Sequence, residues 1–475
     1  VTASIQVHPT AIGGLLLIDL PVHGDNRGWF KENWQREKLL DAGVPDLGPV
    51  QNNISFNTEP GVTRGIHAEP WDKYISVAHG KVFGAWLDLR AGDGFGRVVT
   101  AEITPDKAVY VPRGVGNAFQ TLEADTVYTY LVNEHWSPEA RAEYTFVNLA
   151  DPTLGIDWPI ELSHAQMSDA DRAHPQLSDV QPMGERPLLI IGSGGQLGRA
   201  LVQACEQRGI SFRAVDREQW DMAEPDSWSD QLLQSSRVVI NAAAYTAVDA
   251  AETDEGRQAA WAVNATGASA LAARCDAARV PLVHVSTDYV FDGRLVPDLK
   301  YVPDSPRSPL GVYGQSKAAG EVAVAALSRH WIVRTSWLIG DGPNFVRTMM
   351  NLAERGVDPA VITDQRGRLS FASELAEGIL HLIATGTPFG TYQLTGAGEP
   401  CSWFDIAQEV FRLVGADPNR VTPVTTEEYG RGRDSMAPRP HNSVMCLGAT
   451  KSAGFQPRDH MESLAAYIRQ QGAGL

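Results

Sequence analysis

Leu188-Leu189-Ile190-Ile191-Gly192-Ser193-Gly194-Gly195-Gln196-Leu197-Gly198 is the stretch on which the reading of this chain turns. The apolar run 188–191 fits a buried strand. Glycines at 192, 195 and 198 fit a tight turn that opens a helix on glycine. That order lets backbone N–H groups and a helix N-terminus approach a pyrophosphate. Alone, the triplet fits any strand–turn–helix corner equally well. Its position adds to it, because almost two hundred residues of a different character precede it.

Downstream, apolar runs at 188–191, 212–215, 238–241, 282–285 and 332–335 alternate with alanine-rich, helix-periodic stretches at 197–208, 249–279 and 313–327. Such alternation predicts βαβ units and a parallel sheet, with ligands at the carboxyl ends of the strands. Asp216 and Arg217 close the second run. An acidic residue there can hold the ribose hydroxyls of NADH, and an arginine can take the 2′-phosphate of NADPH. Both are present, so either cofactor is expected, with a slight lean to NADPH. Tyr313 and Lys317 share a helix face at i and i+4. The ammonium is expected to draw the phenol from its usual pKa of about 10 toward neutrality. Tyrosine can then give a proton to a ketone oxygen as hydride arrives. Ser286-Thr287-Asp288-Tyr289 ends the strand before this pair.

This constellation resembles the extended short-chain dehydrogenases, and closely the dTDP-4-dehydrorhamnose reductases. The resemblance is carried by Asn241 to Asp249 (NAAAYTAVD), Ser286 to Gly293 (STDYVFDG), Arg334-Thr335-Ser336-Trp337, Asn344-Phe345, Asp364-Gln365 and Arg439-Pro440. It covers nearly all of residues 187–450. By position it implies catalytic Thr287, Tyr313 and Lys317. It implies a cofactor lined by Gly192, Gly195, Gln196, Leu197, Gly198, Asn241, Ala242 and Ala243 as well as Asp216 and Arg217, with Asp288, Tyr289 and Trp337 facing a sugar. Gly367-Arg368-Leu369-Ser370 departs from the family, which usually has Pro-Thr after the glycine, so substrate-lobe contacts are expected to differ there.

The residues before the triplet read differently. Short β-rich runs at 15–20, 75–77, 82–87, 98–103, 108–111 and 126–131 are separated by Gly, Pro, Asn and Asp, and helical periodicity is confined to 34–42. Many short strands between turns predict a sandwich or barrel. Gly65-Ile66-His67-Ala68-Glu69 and Pro112-Arg113-Gly114-Val115-Gly116-Asn117 suggest a cupin-like jelly roll. Metal-binding cupins place H-x-H in the first stretch and another histidine in the second. This chain has one histidine and an asparagine, so a metal-free barrel is expected.

The first half resembles the dTDP-4-dehydrorhamnose 3,5-epimerases through Asp25 to Glu32 (DNRGWFKE), Gln51 to Ser55 (QNNIS), Thr63 to His67 (TRGIH), Val82-Phe83, Leu87 to Arg90 (LDLR) and Asp157-Trp158-Pro159. By position the resemblance implies His67 as base, Asp171 as its orienting carboxylate and Tyr130 as acid on the opposite face of the sugar. Lys73 falls near the ketone oxygen, and Arg27, Glu32 and Arg64 near the substrate. The chemistry asks for these types: a proton beside a ketone leaves only when a base is in reach and the enolate is stabilised. A carboxylate fixes a histidine's tautomer. His8, His23, His79, His164 and His174 are expected to be ordinary core or surface side chains. Departures are the short span from His67 to Lys73, Asn117 where histidine is common, and Trp136 where a second tyrosine is common. A narrowed or altered substrate range follows.

The 475-residue chain exceeds one hydrophobic core. Pro175 to Pro187 (PQLSDVQPMGERP) reads as a stiff linker, which divides a barrel domain, 1–183, from a Rossmann domain with a small substrate lobe, 184–475. The net charge of −17 divides as −11 and −6 between them, and neither half has the basic excess that nucleic-acid binding requires. No apolar run reaches membrane-spanning length and no signal peptide is evident. Four cysteines without C-x-x-C spacing indicate neither disulfides nor zinc and point to a reducing cytoplasm.

The expectation is a multidomain chain: an all-β jelly-roll barrel that inverts C3 and C5 of a dTDP-linked 4-keto-6-deoxyhexose, then an α/β domain that reduces C4 with NADPH or NADH. No membrane or nucleic acid is expected as partner, and the resemblance implies a homodimer through the barrel. Two alternatives stand beside it: a barrel that epimerises one position only, and a barrel that serves only for binding or dimerisation.

Overall fold

The computed structural model describes residues 4–138, 140–296, 298–432 and 436–472. The chain forms two compact units, Val1–Glu185 and Arg186–Leu475.

In the first unit the strands are β1 (Gln6–Pro9), β2 (Leu16–Asp19), β3 (Val22–Asp25), β4 (Gly28–Lys31), β5 (Gln51–Asn57), β6 (Thr63–Ala68), β7 (Lys73–His79), β8 (Val82–Asp88), β9 (Val98–Ile103), β10 (Lys107–Val111), β11 (Val115–Thr121), β12 (Thr126–Val132) and β13 (Thr145–Phe146). They build two antiparallel sheets, ordered β1-β2-β10-β7-β12-β5 and β13-β6-β11-β8-β9. The facing sides enclose Ile75, Val77, Trp86, Val109, Phe119 and Tyr128. Because side chains alternate along a strand, the other side of β7 presents Tyr74, which packs with Leu39 of the helix Arg36–Asp41. The outer side of the second sheet, with Ile66 and Leu87, is covered by Leu149, Leu154 and Met183. β3 and β4 form a separate hairpin outside both sheets.

The second unit is a parallel sheet of β14 (Leu188–Ile191), β15 (Phe212–Val215), β16 (Val238–Asn241), β17 (Leu282–Thr287), β18 (His330–Thr335) and the strand Gly390–Gln393. Its order is β15-β14-β16-β17-β18 and then Gly390–Gln393. The chain therefore leaves β14 to one side for β15 and returns to the other for β16, which makes the carboxyl end of β14 a topological switch point. All four β14 side chains are fully buried, Leu188 and Ile190 in one core and Leu189 and Ile191 in the other. Each such burial stabilises by roughly 1.5–3 kcal/mol. The helical stretch expected at 249–279 is broken by a π-helical turn, Ala262–Gly267, between helices Asp254–Trp261 and Ala268–Ala277. A third core joins helices Phe345–Glu354, Trp403–Leu413 and His460–Gly472 into a small lobe. Among the described residues no helix is long and apolar enough to cross a membrane.

Two candidate active sites

In the barrel, Arg64 and His67 both face the interior. Directly opposed residues of antiparallel strands share a face. Arg64 opposes Phe119 and His67 opposes Asn117, with a register shift between them. Gly65 makes the shift possible: its φ is +125°, and a Cβ there would lie 2.5 Å from the Ala118 Cβ. His67 Nε2 lies 2.8 Å from Asp171 Oδ1. Asp171 belongs to the short helix Asp169–Arg172, which Ser168 caps by accepting the Asp171 N–H. Burial alone would raise the Asp171 carboxyl, but hydrogen bonds from His67 and Ser168 and the His67 charge hold it below its usual range. With Nε2 on the carboxylate, the free ring nitrogen Nδ1 is the one left to act as base.

Tyr130 and Lys73 stand on the facing sheet. Tyr130 opposes Ile75, whose side chain is in the interior core, and Lys73 is on the same side of β7 as Ile75. The Lys73 Nζ lies 2.8 Å from Glu69 Oε1 and 5.6 Å from the centre of the Tyr130 ring. Burial and the Glu69 charge push the Tyr130 phenol up to about 12, against Arg64. It therefore remains a proton donor throughout the neutral range. Asn117, in place of the family's histidine, lies 3.1 Å from the Tyr128 hydroxyl and so ties the two sheets together.

A cleft of about 780 Å³ opens at His67, Asp171 and Arg64, walled by Trp136, Tyr144 and Phe146. Four expected positions are not among its lining residues. Lys73 and Tyr130 stand on the facing sheet, and the lysine is engaged by Glu69. Arg27 is exposed on the β3–β4 hairpin, tied to Asp25, while Glu32 pairs with Lys38 beside a separate cleft. His174 corrects the expectation of an ordinary side chain. Its ring stacks on Phe146 and its Nδ1 is 4.0 Å from Asp171 Oδ1. His174 and Tyr144 carried no signal in the sequence, since neither falls in a motif or on a periodic face.

In the second unit a cavity of about 950 Å³ lies at the carboxyl ends of the strands. Gly192, Gly195, Gln196, Leu197, Asp216, Arg217, Ala242, Ala243, Thr287, Asp288, Tyr289, Tyr313, Lys317 and Trp337 all line it, as expected from sequence. Gly192 has φ +84°, and a Cβ there would sit 2.7 Å from the Ala243 nitrogen. The helix Gln196–Arg208 starts on Gly195 with no side-chain cap, so its first N–H groups remain for an anion. These residues fit a dinucleotide pyrophosphate. Gly198 and Asn241 are not among the lining residues and instead brace the residues that are. A Cβ on Gly198 would lie 2.1 Å from the Gly192 carbonyl oxygen, so its role is close helix packing. Asn241 accepts the Ala243 N–H and donates to His284 Nδ1.

Tyr313 and Lys317 share the helix Val312–Ala325. The expected depression of the Tyr313 pKa is not met: burial and the Asp288 charge raise it, while a Thr287 hydrogen bond opposes them. Lys317 Nζ donates to the Val285 carbonyl at 2.7 Å and lies 3.4 Å from His284 Nε2. Burial pulls the ammonium down to about 8, against Glu321. Thr287 Oγ1 donates to Asp288 at 2.9 Å, and Ser443 donates to its other oxygen. Burial nevertheless pushes the Asp288 carboxyl up to about 6. Trp337 stacks on Trp403 at 3.8 Å and forms one wall. In the departing stretch 367–370, Arg368 is buried and donates to the carbonyls of Gly398 and Met445.

Comparison with known proteins divides the chain in the same way. Residues 186–472 match the family of the RmlD substrate binding domain, and residues 9–179 match the dTDP-4-dehydrorhamnose 3,5-epimerases. An RmlC homolog of Streptococcus pyogenes is 54% identical over 37% of this chain and 91% of its own. A dTDP-4-dehydrorhamnose reductase of Mycobacterium tuberculosis is 39% identical over 59% of this chain and 91% of its own. The solved structure of a dTDP-4-dehydrorhamnose reductase from Bacillus anthracis, in complex with NADP, is 32% identical, covers 60% of this chain and 99% of its own, and gives a TM-score of 0.55.

Proposed function

This chain belongs to the RmlD substrate-binding-domain family through residues 186–472 and to the dTDP-4-dehydrorhamnose 3,5-epimerase family through residues 9–179, and from that premise we propose that it converts dTDP-4-dehydro-6-deoxy-D-glucose to dTDP-L-rhamnose. One observation carries the reading: a single polypeptide holds both a His67–Asp171 pair at a barrel cleft and Thr287, Tyr313 and Lys317 at a dinucleotide cavity.

Both halves use the same ketone. In the barrel, His67 Nδ1 takes the proton from C3 and from C5, because the neighbouring carbonyl makes those C–H bonds acidic. Asp171 holds the Nε2 proton and steadies the imidazolium. Arg64 and Lys73 offset the enolate charge, and Tyr130 returns a proton from the opposing sheet. In the second unit Gly192, Gly195 and Gln196 would hold a dinucleotide, which would supply the hydride for C4. Tyr313 protonates the oxygen, Thr287 orients it, and Lys317 restores the phenol.

Arg217 supports NADPH and Asp216 supports NADH, so both cofactors serve. The barrel also favours a homodimer. Trp29 and Phe30 on the hairpin, and Ile54 and Phe56 on the edge strand β5, are exposed. A second copy would cover them. The four free cysteines suit a reducing cytoplasm.

Supplying dTDP-4-keto-6-deoxyglucose in deuterated water tests the proposal. Deuterium enters C3 and C5 without cofactor, and NADPH is then oxidised. Exchange at one carbon would support a single-position epimerase. Absence of exchange would leave the barrel a binding module and refute the epimerase half.

A further inference from the structure

The sequence has no H-x-H pair, yet the fold brings two imidazoles to one carboxylate. The ligand atoms of His67, Asp171 and His174 lie within 4.8 Å of one another. The side chain of His174 is hydrogen-bonded to the Gly65 backbone, and its Nδ1 is buried without a partner. A ring held as an N–H donor at Nε2 presents its lone pair at Nδ1. That lone pair points into the space beside Asp171 Oδ1, 4.0 Å away. Two electron-rich atoms facing each other in a sheltered place are what a cation satisfies.

We propose that His67 Nε2, Asp171 Oδ1 and His174 Nδ1 form a reversible site for a borderline-soft divalent cation, Zn²⁺ above all, and that its occupancy switches off the His67 base. Two imidazoles and one carboxylate suit Zn²⁺, at ligand distances of about 2.0–2.2 Å. The three side chains therefore draw in around the ion. The cleft at His67 is open, which gives entry.

The chemistry balances without any co-reactant. Before the ion binds, His67 carries its proton on Nε2, toward Asp171, and its lone pair on Nδ1. Zn²⁺ takes the Nε2 lone pair, so the ring proton moves to Nδ1 of the same imidazole. His67 then offers the cleft an N–H where it offered a base. Because ligands must be unprotonated, binding weakens as pH falls.

The inference shares His67 with the proposed function, and the experiment keeps the two apart. The full chain is titrated with Co²⁺, whose visible bands report coordination without substrate. In parallel, Zn²⁺ is titrated against deuterium exchange and against NADPH oxidation on pre-epimerised sugar. The expected result is one Co²⁺ per barrel, Zn²⁺ inhibition of exchange reversed by chelator, and NADPH oxidation untouched. His174→Gln weakens both Co²⁺ binding and Zn²⁺ inhibition by about tenfold or more, each referred to the variant's own metal-free value. His174→Asn, checked by circular dichroism, repeats the measurement should the first variant misfold. A wild-type chain that gives no Co²⁺ bands, or His174 variants that keep wild-type Zn²⁺ sensitivity, would overturn the site. Loss of exchange in metal-free protein would instead refute the epimerase reading, with the Co²⁺ arm still standing.

Discussion

Arg64 and His67 project from one strand to the same side, although three residues apart, because the register of β6 against β11 shifts between them. A regular strand would put them on opposite faces. The shift depends on Gly65, which has positive φ and no room for a Cβ against Ala118. Gly65→Ala should cost the barrel about 2–4 kcal/mol and abolish deuterium exchange. The second unit's NADPH oxidation should stay at wild-type level, which a coupled assay on pre-epimerised sugar would show.

Asp171 holds the tautomer of His67, so Asp171→Asn should preserve shape while removing the negative charge and letting an amide N–H face the ring instead. Exchange should fall by roughly 10²–10⁴, measured by NMR at C3 and C5. The substitution also changes acid stability. The carboxyl is held below its usual range in the folded barrel, so its contribution is complete above the unfolded value and is lost as pH falls through the folded one. Acid unfolding of the variant should therefore be shallower below about pH 4. An unchanged acid transition would mean that the pair adds nothing to stability.

Much of this was legible in sequence, for reasons that differ between the halves. Leu188–Ile191 and its parallel neighbours are continuous apolar runs because both faces are buried, and such runs stand out. The barrel strands β5, β6 and β11 do not. Their residues are rich in Asn, Gly and Thr, and β5 is a polar edge strand with outward-facing Ile54 and Phe56. Motif resemblance pointed to His67 and Asp171 where periodicity could not. His174, Tyr144 and Phe146 reach the cleft from loops and a two-residue strand, so only the three-dimensional path assembles them. At Tyr313 the i, i+4 spacing gave the proximity of Lys317, but the burial that reverses the expected pKa shift is a tertiary property.

Lys317 gives the pH dependence of reduction. Its ammonium is held at about 8 by burial. The cationic form prevails below that value and is lost as pH rises through it, so kcat/KM for ketone reduction should fall on the alkaline side near pH 8. Lys317→Met should remove that limb along with most of the activity. A wild-type rate flat from pH 7 to about 10, the usual range of a free lysine, would show that the ammonium has no part in proton delivery.

Among the described residues lining the cavity, Arg217 is the one arginine. It is 83% exposed and tied to Asp221 at 3.2 Å. Its side chain must leave that partner to meet a 2′-phosphate, so its gain is that of an exposed pair, about 0.2–1 kcal/mol. Arg217→Ala should raise the KM for NADPH by about two- to fivefold and leave that for NADH within error. Equal effects on both cofactors would mean that the residue does not read the 2′ position.

Gly194 and Gly198 separate cofactor turn from helix packing, because the first lies in the turn before the helix Gln196–Arg208 and the second in that helix's first turn, and they meet opposite surroundings. A Cβ at Gly194 finds open space, whereas one at Gly198 would lie 2.1 Å from the Gly192 oxygen and 2.7 Å from the Ser193 Cα, both backbone atoms that cannot swing aside. The helix Gln196–Arg208 would have to retreat from β14, carrying its uncapped N–H groups away from the pyrophosphate. Gly198→Ala should therefore raise the KM for both cofactors by about tenfold or more, since a displacement of an ångström removes whole hydrogen bonds of about 1.5–3 kcal/mol each to a charged group. Gly194→Ala should change neither KM. Deuterium exchange in the barrel needs no cofactor and should be unchanged in both variants. Loss of exchange in Gly198→Ala would show that the two units depend on each other for folding.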